Sequence, residues 1–477
     1  MLTNGVLYDA AQGIRGARKD VALRDGRLAL VADRIDPGAA REVHDLAGRC
    51  VSPGWIDIHV HGYGGLALRD IQAVGILTGA TACVDAGDFG TLTFEDFQAV
   101  RGDSVADMYG FVHMHPAGIP YTGFARGDYG VIPVGRLIQL IEKSRDVVRG
   151  LKLSAFGDMP LHNLKVAKVI AEAARVPFYV HLGEVNHYPT KKSITRQTVD
   201  LLTEGDIITH LYTNDHGRIL DEQGRVFAEV LEARARGVVF DIGHGVGNFS
   251  FDIAERALAQ GVGPDVLSSD QNTLCHSFRS DLAITLSKFL ALGLGVEDVI
   301  DKVTRAPSRA LGLAAHGTLA PGASADVTVF RVERGDFEFA DMDGRTRRGT
   351  ERIVPETVYK AGRRYACDAE GLFTERNFKM TTQDPASVAV DRFDGVERRF
   401  VTRLLGDLER IGSAKAEAMH AQAHQTMAEA GIPTAHGLRT LYRVAFGDDG
   451  PAFSPQIGWL LARLGPEQLR RFREVFA

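Results

Sequence analysis

Between about residues 55 and 305, short apolar stretches alternate with amphipathic ones, and this alternation constrains the fold more than any other feature. The apolar stretches are "WIDIHV", "TACVDA", "MYGFVHM", "GLKLSA", "PFYVHL", "DIITHL", "GVVFDI" and "DVLSSD". They read as strands. Stretches between them, such as "KVAKVIAEAARV" and "RVFAEVLEARARG", read as helices. Eight strands with intervening helices over a span of about 250 residues meet the requirement of a (β/α)8 TIM barrel. A doubly wound open sheet is the competitor, but it calls for a phosphate-binding G-x-G-x-x-G, and the chain has none.

Both flanks of this region change character. Residues 1–54 contain "GVLYDA", "DVALRDGRLALVA" and "EVHDLAGRCV", alternating stretches in which Asp25-Gly26 marks a hairpin. After the barrel, "GTLAPGASADVTVF" and "ETVYKAGRRYA" return to short strands and turns. The expected organisation is a composite β-sandwich from residues 1–54 and 306–376, a barrel over 55–305, and a helical C-terminal extension over 377–477. In that extension Val396, Phe400, Leu404, Leu408 and Ile411 share one helical face. The mild net charge of -6 offers no basic stripe for nucleic acid. No apolar run is long enough for a bilayer and no secretory signal opens the chain, which points to the cytoplasm. Cys50, Cys83, Cys275 and Cys367 lie far apart and read as reduced thiols.

Chemistry concentrates where the apolar stretches end. In "PGWIDIHVHGYGG", strand alternation puts His59 and His61 on one face, either as a metal-binding pair or as two hydrogen-bonded imidazoles. His181 ends "FYVHL", His210 ends "IITHL" and Asp270 ends "LSSD", all at carboxyl ends, where barrels of this kind keep their catalytic groups. Lys152 lies within "GLKLSA". A buried ammonium there pairs with an acidic neighbour, or its amine has reacted with carbon dioxide to give a carbamate able to bridge two metal ions.

This set resembles the amidohydrolase superfamily in its binuclear, carboxylated-lysine form, as do "SPGWIDIHVH" and "TRAPSRALGL" with its following "GTLAPGASADVTVF". "GATACVDAGDFG", "GRILDEQGRVFAEVLEARARGVVFDIGHG" and "FSFDIAERALAQG" narrow the likeness to the dihydroorotase-like branch that includes deacetylases. The resemblance spans residues 1–376. It implies that His59 and His61 bind a buried metal, carboxylated Lys152 bridges two divalent ions, and His181 and His210 bind the exposed one. Zinc is the expected ion. Asp270 would bind the buried metal and carry the proton, while a bridging hydroxide attacks the substrate carbonyl.

The implied substrate is a small acyl ester or amide, with a cyclic amide of the dihydroorotase or hydantoinase kind as the alternative. A non-catalytic scaffold is a further reading, against which all six ligand positions are filled. Classical dihydroorotases carry an arginine just after the second histidine, where this chain has Gly62, Tyr63 and Gly64. Tyr63 and His244 are substrate-binding candidates with structural roles equally open. His113 and His115 read as decoys or pocket lining, Cys83 as packing, and His420 with His424 as a solvated helix face. A homo-oligomer through the C-terminal helices is the only macromolecular partnership the sequence suggests.

Overall fold

Seven parallel strands form the centre of the fold, in the order in which they leave the chain. They follow five strands of the N-terminal flank: β1 (Leu2–Asp9), β2 (Ile14–Arg24), β3 (Arg27–Ala32), β4 (His44–Asp45) and β5 (Cys50–Pro53). The central strands are β6 (Trp55–Val60), β7 (Ala80–Asp85), β8 (Asp107–His113), β9 (Val148–Ala155), β10 (Phe178–Leu182), β11 (Ile207–Thr209) and β12 (Val239–Phe240). The structure is a computed structural model. It describes residues 1–63, 71–119, 132–155, 160–183, 193–214, 217–245, 247–272, 281–368, 384–411, 416–432, 437, 440–441, 443–444 and 457–476.

Residues 266–271 take the place of the eighth strand. Val266 bridges Asp241 at one edge and Gln271 bridges Val60 at the other, both in parallel sense. The His244 amide donates to Ser268 O (3.1 Å) and the His61 amide to Gln271 O (2.9 Å). The ring is therefore closed by a segment too irregular to form a long ladder, because Asp270 leaves the extended region at φ 49°. Helices α1 (Phe94–Gly102), α2 (Val134–Lys143), α3 (Leu161–Ala174), α4 (Thr195–Asp200), α5 (Ala228–Ala235), α6 (Phe251–Ala259), α7 (Leu282–Ala291), α8 (Val296–Asp301) and α9 (Arg305–Ala310) fall between or after the strands. All six residues of β6 are buried, as a strand covered on both faces requires.

The flanks join through β13 (Val327–Ala340), β14 (Thr346–Lys360) and β15 (Arg363–Ala366) in the sheet order β15-β14-β13-β5-β1-β2-β3, with β4 beside β1. Where the sequence suggests a sandwich, the strands make one continuous hydrogen-bonded sheet. The reason is β5, which runs parallel to β1 on one side and antiparallel to β13 on the other. Asp25 and Gly26 turn β2 into β3 with both residues left-handed (φ 52° and 73°), the geometry an Asp-Gly hairpin favours. The β13–β14 hairpin ends in a tip over Asp341–Arg345 that reaches the turns after β11 and β12. Its Met342 amide donates to Phe249 O (3.0 Å), and Asp343 accepts from Ser250 Oγ (2.9 Å) and Asn214 Nδ2 (3.0 Å).

By internal contacts, one unit is drawn from Met1–Gly183 and Lys192–Asn377, and a second includes Phe378–Ala477. The second contains α10 (Gly395–Ile411), α11 (Ala416–Glu429) and α12 (Ile457–Phe476), with Phe400, Leu404, Leu408, Met427, Leu469 and Phe472 in one core. Val396 departs from the expected stripe: it is 45% exposed, while Glu397 is buried. Position 397 is taken by a capping box, in which the Glu397 amide donates to Asp394 Oδ1 and the Asp394 amide donates to Glu397 Oε2. Arg443 pairs with the same buried carboxylate. The Ile411 side chain lies outside the described residues. Among those residues, no helix is long and apolar enough to cross a membrane.

Candidate metal centre

The fold brings His59, His61, Lys152, His181, His210 and Asp270 to the carboxyl-terminal side of the strands, and all six are buried. His59 Nε2 and His61 Nε2 face the same oxygen, Asp270 Oδ1, at 3.4 and 3.1 Å. The His59 ring lies 5.0 Å from that of His210, which lies 4.1 Å from that of His181. One ligand atom from each of His59, His210 and Asp270 fits within a 4.8 Å span.

His210 (φ 66°) and Asp270 (φ 49°) both have left-handed backbones, a conformation that costs about 1–3 kcal/mol at a non-glycine residue and needs surroundings that enforce it. The turn after β12 does so. A Cβ on Gly243 would sit 2.1 Å from Thr209 Oγ1, and one on Gly245 would sit 2.3 Å from Asp270 Oδ2. Glycine at these two positions lets the turn close against both residues.

Hydrogen bonding at the far side of each ring fixes its tautomer. His210 Nδ1 lies 2.6 Å from Gly243 O, and a carbonyl only accepts, so the proton is on Nδ1. His61 Nδ1 lies 2.6 Å from Asp88 Oδ1, which again draws the proton to Nδ1. His59 Nδ1 faces Tyr179 Oη (2.7 Å) and Thr209 Oγ1 (3.0 Å). Both hydroxyls donate to Asp241 Oδ2 at 2.7 Å, so toward His59 they accept. Three neutral rings therefore leave a lone pair on Nε2, the arrangement in which carboxylates and carbonyls orient metal-binding imidazoles. For His59 and His61 that lone pair confronts a carboxylate oxygen. A cation or an extra proton must lie between them.

Without a cation the balance falls on His61. Burial opposes its charge, but Asp88 and Asp270 outweigh burial and raise it to about 10. His59 is pushed well down by burial and by the neighbouring positive groups, and burial takes His210 down to about 4. Lys152 is lowered to about 8, chiefly by burial. Its Nζ has no hydrogen-bond partner among the described residues and sits 4.4 Å from the centre of the Tyr179 ring. Gly87 (φ 105°) makes room for this side chain, since a Cβ there would lie 2.7 Å from Lys152 Cγ. An orphaned buried amine beside imidazole nitrogens and a carboxylate fits both a carbamate and divalent ions of the zinc type.

Other candidates occupy different surroundings. The Tyr63 hydroxyl donates to Asp96 Oδ2 (3.3 Å) and its amide donates to Asp88 Oδ2 (3.4 Å). His244 has both nitrogens engaged, Nδ1 with Gly245 O and Nε2 with Lys288 Nζ, each at 2.7 Å. His113 Nδ1 accepts the His115 amide and His115 Nδ1 that of Ala117, local turn-forming bonds. Cys83 is buried with Sγ 3.0 Å from Val74 O, in keeping with packing. The side chains of His420 and His424, and Gly64, Gly65 and Cys275, lie outside the described residues. Sequence reasoning missed Asp88, Tyr179, Thr209 and Asp241. For Asp88 and Asp241 the available signal was a carboxylate just beyond a buried strand with no cation beside it in sequence, in "VDAGD" and "VVFDIG".

A second cluster, Asp107, His316 and Asp326, already contains its own cation. Lys360 Nζ lies 2.7 Å from Asp107 Oδ2 and 2.8 Å from Asp326 Oδ2, tying β14 to β8.

A parallel barrel with imidazoles and a carboxylate convergent at its carboxyl-terminal mouth defines a barrel protein with a candidate metal site. No protein-family model matches the chain. A deacetylase of Enterococcus faecalis is 29% identical over 374 residues, covering 76% of this chain and 98% of the relative. Among solved structures, one titled an adenine deaminase is 28% identical with a TM-score of 0.69, covering 76% of this chain and 98% of its own. One titled a dihydroorotase is 28% identical with a TM-score of 0.68, covering 77% and 98%. By these likenesses the chain is similar to hydrolases of the amidohydrolase superfamily, in its dihydroorotase-like and deacetylase branch.

Proposed function

We propose that the chain is a deacetylase or related acyl hydrolase, which cleaves a C–N amide or carboxylic ester bond of a small molecule with two divalent metal ions, zinc by donor type. The observation that carries this reading is the confrontation of His59 Nε2 and His61 Nε2 with Asp270 Oδ1, beside an amine that has no hydrogen-bond partner among the described residues. When bound, the paired metals make water acidic near neutral pH and polarise the scissile carbonyl. His59, His61 and Asp270 would hold one ion, and His181 and His210 the other. Lys152, as its neutral amine, would add to carbon dioxide with release of one proton, giving a carboxylate able to serve as a ligand to the metals. Asp270 accepts the proton of the attacking water and passes it to the departing nitrogen or oxygen. The products are a carboxylate and an amine or alcohol.

Two observations support the acyl substrate: the likeness to a named deacetylase over nearly its whole length, and the absence of an arginine just after His61. The dihydroorotase-titled neighbour favours the second reading, opening of a cyclic amide. Metal per chain and turnover decide the matter. Wild-type protein grown with zinc and bicarbonate is expected to hold close to two ions and to hydrolyse N-acetyl amides or acetyl esters, and Lys152→Ala to lose both properties. Turnover of dihydroorotate or hydantoins alone would move the assignment to the second reading. A metal-free, inactive wild type would reject both.

A further inference from the structure

Lys288 has no place in the chemistry above, although its side chain, on α7, is buried with 2% exposure. Its Nζ donates to Ala340 O (2.6 Å) and lies 2.7 Å from His244 Nε2. Gly245 O, 2.7 Å from His244 Nδ1, only accepts, so that ring carries its proton on Nδ1 and must receive a hydrogen bond at Nε2. Lys288 is the donor. Burial lowers the amine to about 7, yet its neutral form still has an N–H for each acceptor, so the bridge survives loss of the charge.

The two acceptors belong to parts of the fold far apart in sequence. Ala340 ends β13 at the hairpin tip. His244 lies in the turn Gly243-His244-Gly245, between the carbonyl that orients His210 and the glycine pressed against Asp270. Two of the three turn residues are glycines and have no side chain to anchor them. His244 is the anchor: its ring stacks on Phe249 (4.9 Å, 22°), whose carbonyl is held by the Met342 amide of the same tip. An apolar side chain would fill the Lys288 site without the cost of burying an amine, so its hydrogen bonds distinguish lysine there.

We propose that Lys288 is a positioning residue that clamps His244, and through it the Gly243–Gly245 turn, against His210 and Asp270, with the β13–β14 tip as the fixed post. The catalytic part of this inference rests on the metal-hydrolase reading; the clamp itself does not. The test uses full-length Lys288→Met, His244→Phe and the double variant, first metal-free. Hydrogen exchange across residues 241–250 should quicken about tenfold or more in each single variant, with Val148–Ala155 unchanged. The double variant should match the singles, because both break one bridge. Nitrogen-15 shifts of the His244 ring should keep the Nδ1–H form in Lys288→Met, since Gly245 O still accepts there, with the Nε2 shift moving to that of an imine nitrogen that has lost its donor. In loaded protein, kcat should fall about 10–100-fold with KM nearly unchanged.

Wild-type exchange and an unchanged His244 Nε2 shift in Lys288→Met would overturn the clamp, as would effects of the two singles that multiply in the double. Should Lys288→Met fail to fold, His244→Phe, which keeps the ring on Phe249, reads the same segment and decides alone. A clamp demonstrated in protein that neither binds metal nor hydrolyses acyl compounds would remove the hydrolase reading and leave Lys288 a structural tie. An altered turn with wild-type kcat would refute its role in positioning.

Discussion

Asp241→Asn separates an oriented ligand set from a merely crowded one. Asp241 Oδ2 accepts from Tyr179 and Thr209 at 2.7 Å, and Oδ1 accepts from Ser268 Oγ at 2.6 Å. Asparagine keeps one oxygen. Its best placement leaves that oxygen on Tyr179 and Thr209 and turns the amide toward Ser268, whose hydroxyl must then reverse while still accepting from the Gly243 amide. A hydrogen bond to a charged group exceeds a neutral one by roughly 1 kcal/mol, so two weakened bonds and one reversed bond sum to about 2–3 kcal/mol. Relief of a buried carboxylate offsets part of this in overall stability, since burial already pushes Asp241 up to about 6. The orientation of His59 has no such offset. Competition with a chromophoric chelator should show zinc held about 10–100-fold more weakly, with the melting temperature changed by only a few degrees. Wild-type zinc affinity in folded Asp241→Asn would refute the relay from Asp241 through Tyr179 and Thr209 to His59.

Lys152→Met should raise the melting temperature of metal-free protein, because it removes a buried amine with no partner among the described residues, while bound metal per chain falls; a lower melting temperature would mean the amine is satisfied. Gly87→Ala, strained at φ 105° and in collision with Lys152, should destabilise by about 1–3 kcal/mol in urea and reduce bound metal. Burial opposes charge on Asp326, but His316 and Lys360 outweigh it and bring it down to about 2. A carboxyl depressed on folding contributes stability in full above its ordinary value of 3.8 and loses it as pH falls through about 2. Acid titration from pH 5 to pH 2 should therefore show a loss of stability that is blunted in Lys360→Met, which itself costs stability near the low end of about 3–5 kcal/mol at neutral pH.

The barrel was legible because buried strands and amphipathic helices differ in period, and the convergence of the six candidate ligands because ionisable side chains are costly to bury at strand ends without a purpose. The orienting groups were not. Tyr179 and Thr209 are ordinary strand residues by composition, and only closure of the ring brings them between Asp241 and His59. Lys288 lies in the apolar stretch "LAITLSKFLA", where a lysine reads as the exposed face of a helix. The eighth strand was expected as a peer of the others, but the left-handed turn at Asp270 shortens it to two bridges. Val396 was misplaced because a capping box claimed the next position, a local hydrogen-bonding demand that apolar periodicity does not register.

β5 joins the two flanks, and that has a consequence for how the chain assembles. The Trp55 amide is bound to the Thr328 hydroxyl across 273 residues, and β5 receives its second neighbour only when β13 arrives. During synthesis the N-terminal strands must therefore wait, with the β5 edge open, while the entire barrel is made. An open strand edge is a template for unwanted pairing, and such late closure slows folding. The young chain is most vulnerable to aggregation after its chemistry-bearing half has emerged and before β13 seals the sheet, and ribosome-bound chains ending near residue 320 should depend most on chaperones.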